Sequence, residues 1–274
     1  MNDPHVENIV YTVSTEGAVR FKDPQALVFS TDLGDFELAA GELKYSPAQH
    51  FATANEARAV VEPFLRTWEL GADLKYCIGV IRFTFSRADI FDRDPKPGAT
   101  QTIYLQGISQ TTMFGQATLH VTYNAYPPPL KTFQLTPEVE FFYQRWVAYK
   151  SGREHLQSMS FFILSFLEWI AGSRSKAGEK YFVHQKVLKT LGDLCTTRGN
   201  PNTARKVEKN HSKFIDLSIA EKRWMEQAIL RLIQRVGEHA TGEKLDPISM
   251  QELPDLPTSP PTAPLQPGAA PPGS

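Results

Sequence analysis

An α+β fold, with strands in the first half of the chain and helices in the second, follows from three observations on the 274-residue sequence. Apolar residues recur with a period of two up to residue 126 and near 3.6 beyond residue 136. Pro127, Pro128 and Pro129 stand between those regimes, where neither a strand nor a helix can continue. From Leu253 to the end, eight of 22 residues are proline, a composition that buries too little apolar surface to offset the entropy of ordering. The predicted organisation is a β-rich domain with one helix over 1–126 and a Pro-rich linker over 127–136. An antiparallel four-helix domain over 137–241 and a disordered Pro-rich tail over 242–274 complete it.

In the first half, Ile9–Val13, Ala18–Phe21 and Ala26–Ser30 are short β-prone runs separated by Gly17 and Asp23-Pro24. Leu33-Gly34-Asp35 reads as a turn into a strand over 36–40. The clearest alternation covers Ile78–Phe85, with a loop over 92–98 and further strands over 102–107 and 116–123. One helix interrupts them. Thr53 and Glu56 form a capping-box pair, and Val60, Val61, Phe64, Leu65 and Trp68 then fall on one face. Pro63 is expected to kink or divide that helix.

Beyond the prolines, Thr136 with Pro137 at the first helical position opens a helix through about Lys150. Met159, Phe162, Ile163, Phe166, Leu167 and Ile170 mark a strongly buried second helix ending at Gly172. Tyr181–Leu194 reads as a third, and Ser218 with Glu221 caps a fourth.

The amino-terminus lacks the basic and apolar regions of a signal peptide, and no apolar run approaches the 20 or so residues of a membrane span. Cys77 and Cys195, one in each half, fit free thiols in a reducing compartment, so the cytoplasm is the expected location and no membrane partner is expected. No two histidines have the spacing of a helical zinc pair, and no glycine-rich phosphate fingerprint follows a strand. Neither a metal nor a cofactor is expected. Asp89, Asp92 and Asp94 read as an ordinary acidic loop.

The net charge of −1 conceals an asymmetry. Between 172 and 213 stand ten basic residues, Arg174, Lys176, Lys180, Lys186, Lys189, Arg198, Arg205, Lys206, Lys209 and Lys213, against Glu179, Asp193 and Glu208, a balance of +7. Through residue 136 the balance is −4, from 11 basic and 15 acidic residues. A basic block in a neutral chain is the footprint of contact with a polyanion. The expected nucleic-acid contacts are Arg174, Lys176, Lys180, Arg198, Lys206, Lys209 and Lys213. A solvated lysine-rich face is the competing explanation.

Within the block, Arg205 and His211 are separated by five residues. A histidine that exchanges protons near neutral pH, beside a guanidinium that steadies charge on a phosphate, suits metal-free cleavage of RNA, whose 2′-hydroxyl supplies the nucleophile. Residues 137–241, with a four-helix layout, Leu167-Glu168 on a hydrophobic second helix and this Arg-x5-His spacing before the last helix, resemble the HEPN superfamily of helical RNA- and nucleotide-associated domains. The resemblance implies RNA association of the bacterial toxin or defence type, a homodimer, and RNA cleavage by Arg205 and His211. Lys206 departs from the Asn, Asp or His usually placed after that arginine.

Three readings stay open. The first is an RNA- or nucleotide-associated HEPN-like protein binding through the basic block. The second is an active metal-independent endoribonuclease using Arg205 and His211. The third is a non-enzymatic protein-interaction module, whose PxxP spacings at Pro257–Pro260 and Pro261–Pro264 suit an aromatic groove on a partner.

Overall fold

The computed structural model describes residues 1–16, 19–95, 104–105, 121–198 and 215–256. The chain folds as two compact units, 1–135 and 136–274, and is α+β.

The first unit holds strands β1 (Pro4–Ser14), β2 (Val19–Gln25), β3 (Leu27–Thr31), β4 (Gly34–Ala39) and β5 (Glu42–Pro47), helix α1 (Ala54–Lys75), and strands β6 (Arg82–Asp92), β7 (Tyr104–Leu105) and β8 (Val121–Ala125). Six of the strands form an antiparallel sheet in the order β3-β4-β5-β1-β6-β7, while β2 and β8 pair in parallel. Alternation explains which face is covered. On β4 and β5, Phe36, Leu38, Leu43 and Tyr45 are buried while Asp35, Glu37, Glu42 and Lys44 are exposed. The expected turn at Leu33-Gly34-Asp35 joins β3 to β4. Gly34 has φ +144°, and a Cβ there would lie 2.1 Å from the Ser46 carbonyl oxygen, so only glycine fits.

Helix α1 covers the sheet with the stripe its sequence marks. Val61, Leu65 and Trp68 are buried, with Val60 and Phe64 packed against the same core. The capping box between Thr53 and Glu56 is formed. α1 is not divided at Pro63 but runs unbroken through it. One missing N–H removes a single helical bond, and the apolar stripe on both sides keeps the helix docked.

The strand expected over Ile78–Phe85 starts instead at Arg82. The reason lies in two carboxylates of α1. Asp73 Oδ1 accepts from the Gly79 N–H (2.9 Å), and its two oxygens take Arg82 at 2.7 and 3.1 Å. Glu69 Oε1 accepts from the Phe83 N–H (2.8 Å). Together they fold residues 77–80 into a turn, where Val80 N–H donates to the Cys77 carbonyl. The stretch expected as a linker belongs to this unit as far as Leu135: Trp68 Nε1 donates to the Pro127 carbonyl (2.7 Å), and Phe133 is buried.

The second unit contains α2 (Pro137–Lys150), α3 (Leu156–Ala171), α4 (Arg174–Lys180), α5 (Gln185–Thr197) and α6 (Ile219–Ala240). Polar ties across the helices show that α6 runs antiparallel to both α2 and α5. Tyr149 at the end of α2 donates to Glu226 near the start of α6. Arg198, just past α5, donates to Glu221 in the first turn of α6. Arg235 near the end of α6 donates to the carbonyls of Tyr181 and Phe182, just before α5. Each turn of direction has a local cause, such as Gly172, which ends α3 in the left-handed region at φ +90°.

Two expectations are corrected here. The helix expected from Tyr181 begins at Gln185, and 174–180 form a helix of their own, so this unit has five α-helices among its described residues rather than four. Phe182, at φ +52°, and Val183, bridged to Ile248, break the helical path between them. The chain also stays packed beyond the expected start of the tail at 242. Ile248 donates to the Phe182 carbonyl, His184 donates back to the Ile248 carbonyl, and Ile248 and Leu253 are buried. The pin of this strap is Arg235. Only 1% exposed, it also reaches the Asp246 carbonyl (2.7 Å) and Glu238 (2.9 Å).

Candidate nucleic-acid interface and adjoining cleft

The expected basic contacts divide by residue type. Arg174 and Arg198 are engaged within the fold. Arg174 Nε donates to Glu168 Oε1 at 2.5 Å, and its guanidinium lies over the bare backbone of Gly192. Arg198 Nε donates to Glu221 Oε1 at 2.8 Å. Burial opposes the charge on Glu221, but the Ser218 backbone and hydroxyl together with Arg198 hold its carboxyl below the usual range. Both arginines therefore serve to join helices.

The lysines are different. Lys176 and Lys180 stand four apart on α4, and Lys186 and Lys189 three apart on α5, so each pair shares a helix face. All four are exposed, and none forms an ion pair with a described carboxylate. Gln185 Nε2 donates to the carbonyls of Arg174 and Ser175 (3.3 and 3.0 Å), tying the first turn of α5 to that of α4. Lys176 and Lys186 each stand one residue from that tie. The field of this patch is felt nearby. His239 is held below the ordinary histidine range by burial first, then by Lys180 and Arg235, and Lys180 also helps to lower Glu138 behind the hydrogen bonds from Thr136 and its own backbone.

Arg205 and His211, with Lys206, Lys209 and Lys213, lie outside the described residues. What is described is where that segment leaves and re-enters. It departs after Arg198, which is tied to α6, and returns through Ile215–Leu217 to Ser218, whose hydroxyl caps α6. No protein-family model, curated protein or solved structure matches the chain.

Sequence reasoning passed over a cleft at the same end of the bundle. It has a volume of about 560 Å³ and is bounded by the end of α2, the start of α3 and the start of α6. Tyr149 donates to Glu226 Oε1 at 2.5 Å, and Lys150 Nζ lies 3.6 Å from the same oxygen. Burial, then this bond to Glu226, pushes the Tyr149 phenol far above its usual range, so it stays a donor. Glu154 pairs with Arg145. His155 occupies the N-cap of α3 without giving a capping bond. Sequence alone did not mark this end, because Ser158 directly precedes Met159, the first residue of the expected apolar pattern, and would read as the cap.

Proposed function

We propose that this protein associates with RNA, holding the phosphate backbone along the exposed lysines of α4 and α5. The observation that carries the reading is the contrast within the basic block. Its described arginines close internal ion pairs, whereas Lys176, Lys180, Lys186 and Lys189 remain at the surface in two same-face pairs on tied helices. Such a patch offers point charges without a shaped pocket, so binding should be sequence-tolerant and governed by counterion release.

A filter-binding titration with single-stranded RNA at several salt concentrations tests this. Four phosphate contacts give a slope of log K against log salt of about −3. Changing all four lysines to glutamine should flatten the slope toward zero. Unchanged affinity and slope in that variant would remove the reading.

A second reading is cleavage of the bound RNA, with Arg205 stabilising charge on the phosphate and His211 exchanging the proton. It is favoured by the anchoring of both ends of their segment at one end of the bundle, through Arg198 and Ser218. Degradation of RNA in EDTA that is lost in His211→Ala supports it. Equal degradation by the two proteins, or none by either, eliminates it.

A further inference from the structure

We infer that the cleft between α2, α3 and α6 is a binding site for a phosphate group, held at the amino-terminus of α3. The site is distinct from the lysine patch. Three features converge on it.

The first is the helix end. α3 is 16 residues long, its first turn carries no acid, and His155 at the N-cap leaves that turn without a side-chain acceptor. The partial positive charge of its N–H groups is thus uncompensated by the chain, which is the arrangement that attracts an oxyanion.

The second is Gln157. It lies in that first turn, is only 5% exposed, and lines the cleft. No hydrogen bond from its side-chain amide to a described residue is seen, and its polar atoms are not among the fully enclosed ones, so the amide is open to the cleft. A ligand oxygen in the cleft would supply the missing acceptor.

The third is the charge around the rim. Of the three carboxylates, Glu226 is held by Tyr149 and Lys150, Glu154 by Arg145, and Asp216 is likewise engaged. Lys222, exposed on the first turns of α6, forms no ion pair with a described carboxylate and borders the cleft with His155. A tetrahedral phosphate, with several acceptor oxygens, answers separate donors from a helix end, an amide and an ammonium better than a planar carboxylate with two.

The ligand is either free phosphate or the phosphate of a small ester, and the test separates them. The full chain is titrated with inorganic phosphate and, in parallel, with a nucleoside monophosphate, following phosphorus NMR and the melting temperature. Saturable binding of both is expected, with a rise in melting temperature by mass action. Similar affinities identify the phosphate alone as the ligand, and a tighter monophosphate identifies an ester. Lys222→Glu should weaken either by about tenfold, equivalent to about 1.4 kcal/mol. Gln157→Glu, which sets a carboxylate where the anion belongs, should abolish binding. Lys222 is exposed, so its variant stays informative if Gln157→Glu does not fold. Lys176→Gln with Lys186→Gln should leave phosphate binding intact, which separates this site from the RNA reading. Absence of saturable binding, or binding that survives Lys222→Glu unchanged, overturns the proposal.

Discussion

The two units treat their polar side chains in opposite ways. In the sheet unit, the carboxylates of α1 fold inward and are used by the chain itself: Asp73 and Glu69 capture the backbone of Gly79 and Phe83 and the guanidinium of Arg82. In the helical unit, arginines do the internal tying, and lysines and an amide are left facing solvent or a cleft. A polar group already engaged by backbone builds the fold, and one left without a partner is available to a ligand. That difference directs attention to the second unit.

The comparison breaks most visibly if Asp73 is removed. Its side chain is fully buried and bonded twice to Arg82, whose own side chain is 17% exposed. Asp73→Ala takes the nearest carboxylate from that guanidinium, which keeps Glu16 at 3.5 Å, and frees the Gly79 N–H, which should cost about 2–3 kcal/mol, read by urea unfolding. A loss below about 1 kcal/mol would mean that the turn over 77–80 holds itself. Asp73→Asn should be milder, because it keeps one acceptor for the turn.

Arg235 plays the corresponding part in the helical unit. Arg235→Met preserves much of its volume but takes the guanidinium donor from the carbonyls of Tyr181, Phe182 and Asp246, of which Phe182 keeps the Ile248 N–H. A loss of about 2–4 kcal/mol is expected, with faster proteolysis near 242–253 and little change in the far-ultraviolet helical signal. If 242–253 stays protected, the bridge between Val183 and Ile248 suffices for the strap.

How far these features could be foreseen depended on the range of the forces behind them. Both capping boxes, the Pro137 helix start, the Gly34 turn and the stripe of α1 were legible because each is set by residues within a few positions of one another. The start of β6 was misplaced because Asp73 and Glu69 act on it from a preceding helix, which alternation cannot register. The strap was missed for the same reason: Arg235 binds carbonyls 53 and 54 positions earlier in the chain, so 242–253 looks unattached until the fold brings them together. In the candidate site, charge counting found the block, but only geometry separated engaged arginines from exposed lysines.

A smaller effect concerns His5, near the start of β1. Arg93 Nη2 lies 2.9 Å from His5 Nε2, and His5 Nδ1 lies 2.8 Å from His50 Nδ1. Burial first, then Arg93 and His50, lowers the His5 pKa, against the opposing pull of Asp3 and Glu7. With the folded value below the unfolded one, the neutral ring stabilises the fold above the ordinary histidine pKa, and that contribution fades as pH falls through the folded value. Urea midpoints between pH 8 and 5 should therefore decline on acidification, less steeply in His5→Gln. Parallel slopes in the two proteins would show that other groups set the acid limit.

The smallest stability effect should accompany the largest functional one. Lys176 and Lys180 share an exposed face of α4 with like charges four residues apart, a mildly unfavourable pairing set against the weak attraction of Lys180 to Glu138. Replacing both by glutamine should leave the unfolding free energy within about 0.5 kcal/mol of the original, or raise it slightly. Arg198→Gln, by contrast, removes the tie to Glu221 and should destabilise the unit measurably. If the lysine pair proves costly to remove, those side chains are structural, and the division between groups that build the fold and groups left for a ligand fails where it matters most.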